Sequence, residues 1–405
     1  MQWIFWTCLF LMVYTFLGYP LLLAVLSFLS KLLSGQAREP KRQADPVSVS
    51  LVLVVHNEEQ HVFERIENLL QADYAHVVEV LVICDRCSDN TGPVAAAAGD
   101  DIQEGGIDQW VRVVELERGK DGRAAGVNQA VAIAKGEVVV FADMGQRFEN
   151  DAVSHLAAAF VDKKVAAATG YLQASSEKDE MRTNFYAELD KMICEKESDF
   201  GSTVGCERAI YAVRGDAYEA IAEDTLADEL AVPMKIALGG YRVLFVPEAV
   251  AHTVSSSGSN EGGDVGYNND KASLMAGEWQ LMFANPSWLF PWVNRLAWQL
   301  ISHRYFRLLS PLFIVLILLS NLALLNDWWF YWLCFFGQLL AYGLAAAGIF
   351  KVSFPWKFAE VLTRMAGEFL VHQVIAAKAM VQWLRGRVAF LTNPKSEPRM
   401  TKLAK

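Results

Sequence analysis

The sequence predicts an α/β protein with a mostly parallel, Rossmann-like sheet domain flanked by transmembrane helices. Three observations support this class. β-branched runs of strand length alternate with helical patterns through residues 46–250, as in a buried parallel sheet. Long apolar segments lie on both sides of that region, and a bilayer span needs about 20 such residues. The chain is 53% hydrophobic with a net charge of −10, which favours a membrane and argues against a nucleic-acid partner.

The first predicted element is an N-terminal transmembrane helix within residues 1–34. Its apolar run carries one charge, Lys31, near the end. It lacks a basic start and a small-residue cleavage site, so we do not predict a removed signal peptide. The next segment contains three basic residues, Arg38, Lys41 and Arg42. Positive flanks stay in the cytoplasm, so residues 35–254 are predicted to form a cytoplasmic domain.

Apolar runs and helical patterns alternate through that domain. The predicted strands are residues 48–55, 77–84, 111–116, 137–142 and 241–246. The predicted helices lie near residues 58–71, 124–135, 151–160 and 226–238. In an open parallel sheet, ligands bind beyond the carboxyl ends of the strands. The residues that follow the strands are therefore the candidate site.

The rest of the chain is predicted to return to the membrane. Gly, Ser and Asn dominate residues 253–270, which is typical of a loop. Aromatic residues crowd between Trp279 and Trp298, as in a helix that lies in the headgroup layer. We therefore predict a flexible loop and interfacial helices over residues 255–306.

Two further transmembrane helices are predicted within residues 307–350. The outer ends of this pair are basic, at Arg304, Arg307, Lys351 and Lys357, which again places the soluble domain in the cytoplasm. Residues 351–405 are predicted to form an interfacial or membrane-associated helix and a basic tail. A third C-terminal span over residues 360–386 is the alternative, although that stretch is highly charged for one.

Cys84 and Cys87 form a C-x-x-C pair after the second predicted strand. A tetrahedral zinc site needs about four ligands, and the sequence has no second C-x-x-C or Cys/His pair. The six cysteines show no paired framework, which indicates reduced thiols. Metal or redox chemistry at this pair is the weaker interpretation.

Acidic residues follow three of the predicted strands. Asn57 and Glu58 follow the first, Asp85 the second and Asp143 the run 137–142. Carboxylates there would hold Mg²⁺ or Mn²⁺, which would clamp a diphosphate, or would accept hydrogen bonds from a base or ribose. A nucleotide-sugar donor needs both. For Asn57, helix capping is an equal alternative.

Five blocks of sequence follow one another in order along the predicted domain: VSLVLVVHNEEQHVFERIENLL, VLVICDRCSDNT, GRAAGVNQAVAIAKGEVVVFADMGQRFENDAV, GCERAIYAVR and TLADELAVPMKIALGGYRVLFVPEA. Together they resemble the family 2 inverting glycosyltransferases, which have a GT-A fold. The resemblance covers about residues 46–280 and fits the flanking membrane helices of polysaccharide and glycolipid synthases.

The resemblance implies roles for individual residues. Asp143 resembles the first aspartate of the D-x-D metal motif, whose second aspartate is Gly145 here. Asp228 and Glu229 resemble the acidic pair whose second member is the general base, with helix capping by Thr225 and Asp228 as the alternative. The implied nucleotide-sugar contacts are Asn57, Glu58, Asp85, Arg123, Asn128, Lys271 and Trp279.

One family element is altered. Ser273 stands where the Q-x-x-R-W motif has its arginine, with Lys271 and Trp279 nearby. The resemblance implies transfer of a sugar, from a donor expected to be UDP-linked, to a lipid or polysaccharide acceptor at the inner membrane, with a homo-oligomer or synthase-complex partner. A degenerate scaffold subunit is the alternative. A nicotinamide dehydrogenase lacks support, because no glycine fingerprint follows the first strand.

Overall fold

The computed structural model describes residues 1–34, 46–103, 111–116, 122–173, 185–253, 263–352 and 354–392. Within these ranges eight strands form one mixed sheet. The strands are β1 (Val49–Val55), β2 (Val77–Cys84), β3 (Val111–Glu115), β4 (Val138–Ala142), β5 (Gln146–Phe148), β6 (Val165–Gln173), β7 (Ile210–Arg214) and β8 (Arg242–Thr253). Their order is β3-β2-β1-β4-β7-β6-β8-β5.

The first half of the sheet is parallel, as the sequence predicts. Strands β3, β2, β1 and β4 pair in parallel. The apolar side chains of β1, β2 and β4 are mostly buried on both faces of the sheet, with Leu51, Val52 and Leu53 fully inaccessible. In register, Val55 lies opposite Cys84 and Leu53 opposite Ala142. The carboxyl ends of β2 and β4 therefore lie at one edge.

The second half of the sheet is mixed. β7 runs antiparallel to both β4 and β6, β6 pairs in parallel with β8, and β5 pairs antiparallel with β8. The sequence did not predict β5, β6 or β7. Strand β7 matters for the site, because Tyr211 stacks on Phe141 of β4 with ring centroids 4.8 Å apart.

The helices cover the sheet and extend beyond it. Around the sheet lie α3 (Val62–Leu70), α4 (Thr91–Gln103), α5 (Arg123–Ile133), α6 (Ala152–Ala159), α7 (Phe185–Phe200), α8 (Asp228–Leu238) and α9 (Gly263–Ala284). The others are α1 (Gln2–Val13), α2 (Tyr19–Ser34), α10 (Ala297–Gln299), α11 (Phe306–Leu324), α12 (Trp329–Ile349) and α13 (Lys357–Thr392).

Three helical stretches in the described residues are long and apolar enough to cross a membrane: Gln2–Ser30, Ala297–Leu324 and Trp329–Ile349. Short π-helical turns join α1 to α2 and α10 to α11, so the first two stretches are continuous. The second stretch begins ten residues before the predicted boundary at 307. Helix α13 is not among them.

Two predictions for residues 253–298 are wrong. Helix α9 begins at Gly263, inside the stretch that composition predicts as a loop; residues 254–262 lie outside the described ranges. The aromatic stretch from Trp279 to Trp298 is not one helix, because α9 ends at Ala284 and a 3₁₀ turn follows over Pro286–Leu289.

Buried polar contacts join the candidate spans to the α/β domain. Glu197 of α7 is fully buried and accepts a 2.5 Å hydrogen bond from the Tyr19 hydroxyl of α2. Its Oε1 also lies 3.0 Å from Nδ1 of His303. About two helical turns earlier in α7, Asp190 pairs with Arg307 of α11. The domain is thus connected to two of the candidate spans through its own core.

Candidate active site

The start of α5 connects three of the predicted acidic residues. The Gly122 amide donates to Oδ2 of Asp85 at 3.0 Å. The next residue, Arg123, lies 3.7 Å from Oδ1 of Asp143 and donates through Nε to Oδ2 of Asp228 at 3.3 Å. Gly122 has a φ of 85°, a left-handed conformation that favours glycine. Asp85, Asp143 and Asp228 therefore belong to one site.

Asn57 joins the loops that follow β1 and β2. Its Oδ1 accepts hydrogen bonds from the Ser88 amide at 2.7 Å and the Ser88 hydroxyl at 3.2 Å. Helix α3 begins only at Val62, so the capping alternative for Asn57 is wrong. Beside it, the Glu58 amide donates to the Thr91 hydroxyl at 2.7 Å, and burial raises the pKa of the Glu58 carboxyl.

Asp89 stabilises the loop at the same edge of the sheet. Its Oδ1 accepts hydrogen bonds from the Thr91 amide and hydroxyl at 3.1 and 2.6 Å. The neighbouring thiols are free. Cys84 is buried at the end of β2, and the Cys87 thiol donates to the Val55 carbonyl at 3.6 Å. Within the described ranges, no group of three or more Cys, His, Asp or Glu could hold a metal.

Asp228 is a buried, ionised anchor. It is the first residue of α8, whose N-cap is Ala227 and which has no side-chain capping hydrogen bond, so the predicted Thr225–Asp228 capping box does not form, although Asp228 and Glu229 do lie in the first turn of the helix. Oδ2 accepts hydrogen bonds from the Tyr211 hydroxyl at 2.8 Å and from Arg123. Burial alone would raise the pKa of Asp228, but Arg123, Arg208 and the Tyr211 hydrogen bond outweigh it and hold the pKa below its usual value.

Glu229 has a different environment from its neighbour. Burial and the negative charge of Asp228 raise its pKa to about 8, against the opposing charge of Arg208. Its Oε2 is buried and has no hydrogen-bond partner among the described residues. Behind it, buried Glu278 of α9 accepts a 3.1 Å hydrogen bond from Arg304. A carboxyl group with a pKa near neutrality and an unengaged oxygen suits a general base.

Asp143 is the carboxylate best placed for a metal ion. Its backbone is fixed, because the Arg65 guanidinium donates to its carbonyl at 2.9 Å. Three residues further on, Oε1 of Gln146 is buried without a hydrogen-bond partner in the described chain. Mg²⁺ commonly binds through one or two carboxylates together with substrate phosphates and water. The Asp143 carboxylate and the Gln146 amide oxygen therefore suit a divalent ion that would also be held by phosphate groups of the substrate.

The other three predicted donor contacts have surroundings of their own. Asn128 is committed to the segment before α8: its Oδ1 accepts from the Tyr218 hydroxyl at 2.6 Å and its Nδ2 donates to the Ile221 carbonyl at 2.8 Å. Trp279 is buried in α9 and stacks on Trp383 of α13 at 5.7 Å. Lys271 is half-buried on α9. Donor contacts by these three residues stay predictions.

Sequence reasoning missed two residues of the site, Tyr211 and Arg208. Tyr211 holds Asp228, and Nε of Arg208 lies 3.9 Å from Oδ2 of Asp143. Both belong to the segment GCERAIYAVR, which resembles an acceptor-side block of the family. The resemblance of that block indicates that the segment belongs to the site, but no local pattern within it distinguishes Arg208 or Tyr211 from its neighbours.

Residues 50–211 match the family described as glycosyl transferase family 2. The chain contains a family 2 glycosyltransferase domain. Its strand ends are followed by Asp85 and Asp143, and the enzyme is a glycosyltransferase with a GT-A fold. No curated protein matches the chain by sequence.

Two solved structures are similar to this chain, and the first of them shares its fold. A mannosyltransferase from Pyrobaculum calidifontis, PcManGT, in complex with GDP-Man and Mn²⁺, is 19% identical, with a TM-score of 0.63. The similarity covers 92% of this chain and 99% of that one. A glucosyl-3-phosphoglycerate synthase from Mycobacterium tuberculosis, in complex with Mn²⁺, UDP and glucosyl-3-phosphoglycerate, is 16% identical over 57% of this chain and 78% of that one, with a TM-score of 0.37.

Proposed function

We propose that this glycosyltransferase moves a sugar, with inversion, from a nucleotide-sugar donor to a lipid or polysaccharide acceptor at the membrane. The observation that carries the proposal is the start of α5, where Gly122 and Arg123 contact Asp85, Asp143 and Asp228. A single ligand bound there would meet the predicted nucleotide contact, metal ligand and acidic pair together.

The donor would bind across the edge formed by β1, β2 and β4. Asp85, with Asn57 and Glu58 on the adjoining loop, would contact the nucleotide, and Arg123 would lie near the diphosphate. Asp143, with Gln146, would hold Mg²⁺ or Mn²⁺, which would neutralise diphosphate charge. Two structural neighbours were solved with Mn²⁺ and a nucleotide or nucleotide sugar. A UDP-linked donor is our prediction from the sequence resemblance.

Glu229 would be the general base for the transfer. The acceptor hydroxyl oxygen attacks the anomeric carbon and forms the new glycosidic bond while the bond to the diphosphate oxygen breaks. The hydroxyl proton passes to Oε2 of Glu229, which has no other partner in the described chain. Such a base contributes about 10²–10⁴-fold in rate. Asp228, held by Tyr211 and Arg123, would orient the start of α8 that carries the base.

The acceptor would reach the site from the bilayer. Three candidate spans flank or follow the domain, and basic residues at their domain-side ends favour a cytoplasmic catalytic domain in the inner membrane. With so few spans, export of a growing polymer would need a second copy or a synthase partner.

A donor screen tests the proposal. Purified protein in detergent is supplied with UDP- and GDP-linked sugars, with and without Mg²⁺ or Mn²⁺, and release of nucleoside diphosphate is followed. We expect release with one donor class, loss of release in Asp143→Asn and Glu229→Gln, and no change in Asp216→Asn, whose side chain is exposed. If no donor gives release, even with membrane extract added as a source of acceptor, the result would favour the degenerate scaffold instead. Gly145 and Ser273 are the departures from the family motifs that motivate this alternative.

A further inference from the structure

Three side chains near Asp143 and Glu229 carry unpaired hydrogen-bonding atoms: Arg123 and Arg208, which lie within 4 Å of Asp143, and Glu229 itself, on which Arg208 acts electrostatically. Nη2 of Arg123 and Nε of Arg208 are buried donors, and Oε2 of Glu229 is a buried acceptor. None has a hydrogen-bond partner among the residues that the structure describes. A buried hydrogen-bonding group without a partner destabilises the fold, and more so when it is charged. Unpaired donors and acceptors on neighbouring side chains indicate a ligand that supplies both kinds of partner.

The two arginines face Asp143 without being fixed to it. Nη1 of Arg123 lies 3.7 Å from Oδ1 of Asp143, and Nε of Arg208 lies 3.9 Å from Oδ2. Both distances exceed the roughly 2.7–3.2 Å of an N–H···O hydrogen bond. Arg123 has a closer partner in Asp228 at 3.3 Å. For Arg208, the contact with Asp143 is the ion pair that the structure shows, so its guanidinium is the one better able to turn to a ligand.

Arg208 also acts electrostatically on the acidic pair, Asp228 and Glu229. It helps to lower the pKa of Asp228 and opposes the rise in the pKa of Glu229. Its side chain is 29% exposed, so it lines the site instead of lying within the core. A guanidinium in that position presents a fork of N–H donors that matches phosphate oxygens.

We propose that Arg208 binds a phosphate group of the substrates in the space between Asp143 and Glu229. The inference rests on the proposed function and names a residue for it that the sequence motifs do not mark.

Arg208 would contribute most when the donor bond breaks. Negative charge then grows on the departing diphosphate oxygen, and a preorganised cation in a partly dry site stabilises that charge. The phosphate has two sources: the donor diphosphate, or a phosphate on a membrane-borne acceptor. Both present the same oxygen atoms to the guanidinium.

Binding measurements distinguish these sources. The full chain in detergent is titrated calorimetrically with nucleoside diphosphate, and separately with dodecyl phosphate against dodecanol. The variants are Arg208→Gln, Arg208→Lys and a matched control, Arg364→Gln, whose side chain pairs with an exposed glutamate on α13. If the donor is the source, Arg208→Gln weakens nucleoside diphosphate binding by about 10- to 100-fold, the range for a lost charge-assisted hydrogen bond.

The second source gives a different result. If the acceptor is the source, Arg208→Gln weakens dodecyl phosphate binding alone, while dodecanol is unaffected. Arg208→Lys retains the charge and recovers part of the loss, which also covers the case in which Arg208→Gln unfolds. Binding of both probes within twofold of the parent protein in both variants would overturn the inference. A parent protein that binds phosphate but transfers no sugar would instead contradict the proposed function.

Discussion

The pKa of Glu229 makes a quantitative prediction about the pH dependence of transfer. A general base acts only in its ionised form. With a pKa of about 8, the ionised fraction of Glu229 is about one tenth at pH 7 and about nine tenths at pH 9. We therefore expect kcat/KM to rise about tenfold between pH 7 and pH 9 and about a hundredfold between pH 6 and pH 9.

The assay is initial-rate release of nucleoside diphosphate at constant ionic strength from pH 6 to pH 9.5. Glu229→Gln removes the base, so we expect a loss of about 10²–10⁴-fold and a flat profile over this range. Asp216→Asn, at an exposed position, is the matched control and should reproduce the parent profile. A parent profile that is flat between pH 7 and pH 9 would refute the reasoning, as would a Glu229→Gln variant that keeps the slope.

The same pKa has a stability consequence whose sign can be worked out. The folded-state pKa of about 8 lies above the model value of 4.5 for an unfolded glutamate. The folded state therefore holds the proton more tightly, and the contribution of Glu229 to the free energy of unfolding decreases as pH rises from about 4.5 to about 8. Relative to the parent, Glu229→Gln should become progressively more stable across that window in thermal unfolding.

Three further substitutions test other parts of the structure. Asp143→Asn should raise the Mn²⁺ concentration needed for half-maximal transfer by at least tenfold, measured by metal titration, while a parent-like titration would remove Asp143 from the metal site. Tyr211→Phe removes the hydrogen bond to buried Asp228 and should cost about 1–3 kcal/mol in denaturant unfolding. Gly136→Ala would place a Cβ 2.4 Å from the Ser50 amide nitrogen. Such overpacking should lower the free energy of unfolding by about 1–3 kcal/mol, and an unchanged unfolding midpoint would contradict the close approach at Gly136.

The sequence predicts the parallel half of the sheet well, because β-branched runs there are nearly continuous. Strands β1, β2 and β4 are found within one residue of their predicted bounds. Strand β6, in contrast, reads VAAATGYLQ, and its alanines carry no strand signal. It forms because β7 and β8 pair with it on either side. Strand β5 has three residues, too few for a periodic pattern.

The candidate site follows the same division. Asp85 and Asp143 could be predicted because each ends a recognisable strand, and Glu229 because it lies in an acidic pair that resembles a family motif. Arg208 and Tyr211 could not, since their partners lie 65 and 17 residues away in sequence, at Asp143 and Asp228. Which side chain faces a distant carboxylate depends on the antiparallel pairing of β7 with β4, and no local pattern encodes that pairing.

Under the proposed function, the junction at Glu197 would affect which acceptors can be used. Tyr19 and His303 come from two different candidate spans and meet this one carboxylate inside the domain, so tilting the domain would expose a buried charge. In a bilayer crossed by these spans, the reacting atoms would be held at a constant height above the lipid. An acceptor headgroup too short to reach them would be rejected even when its chemical groups fit the site, so headgroup length would be a selection criterion of its own.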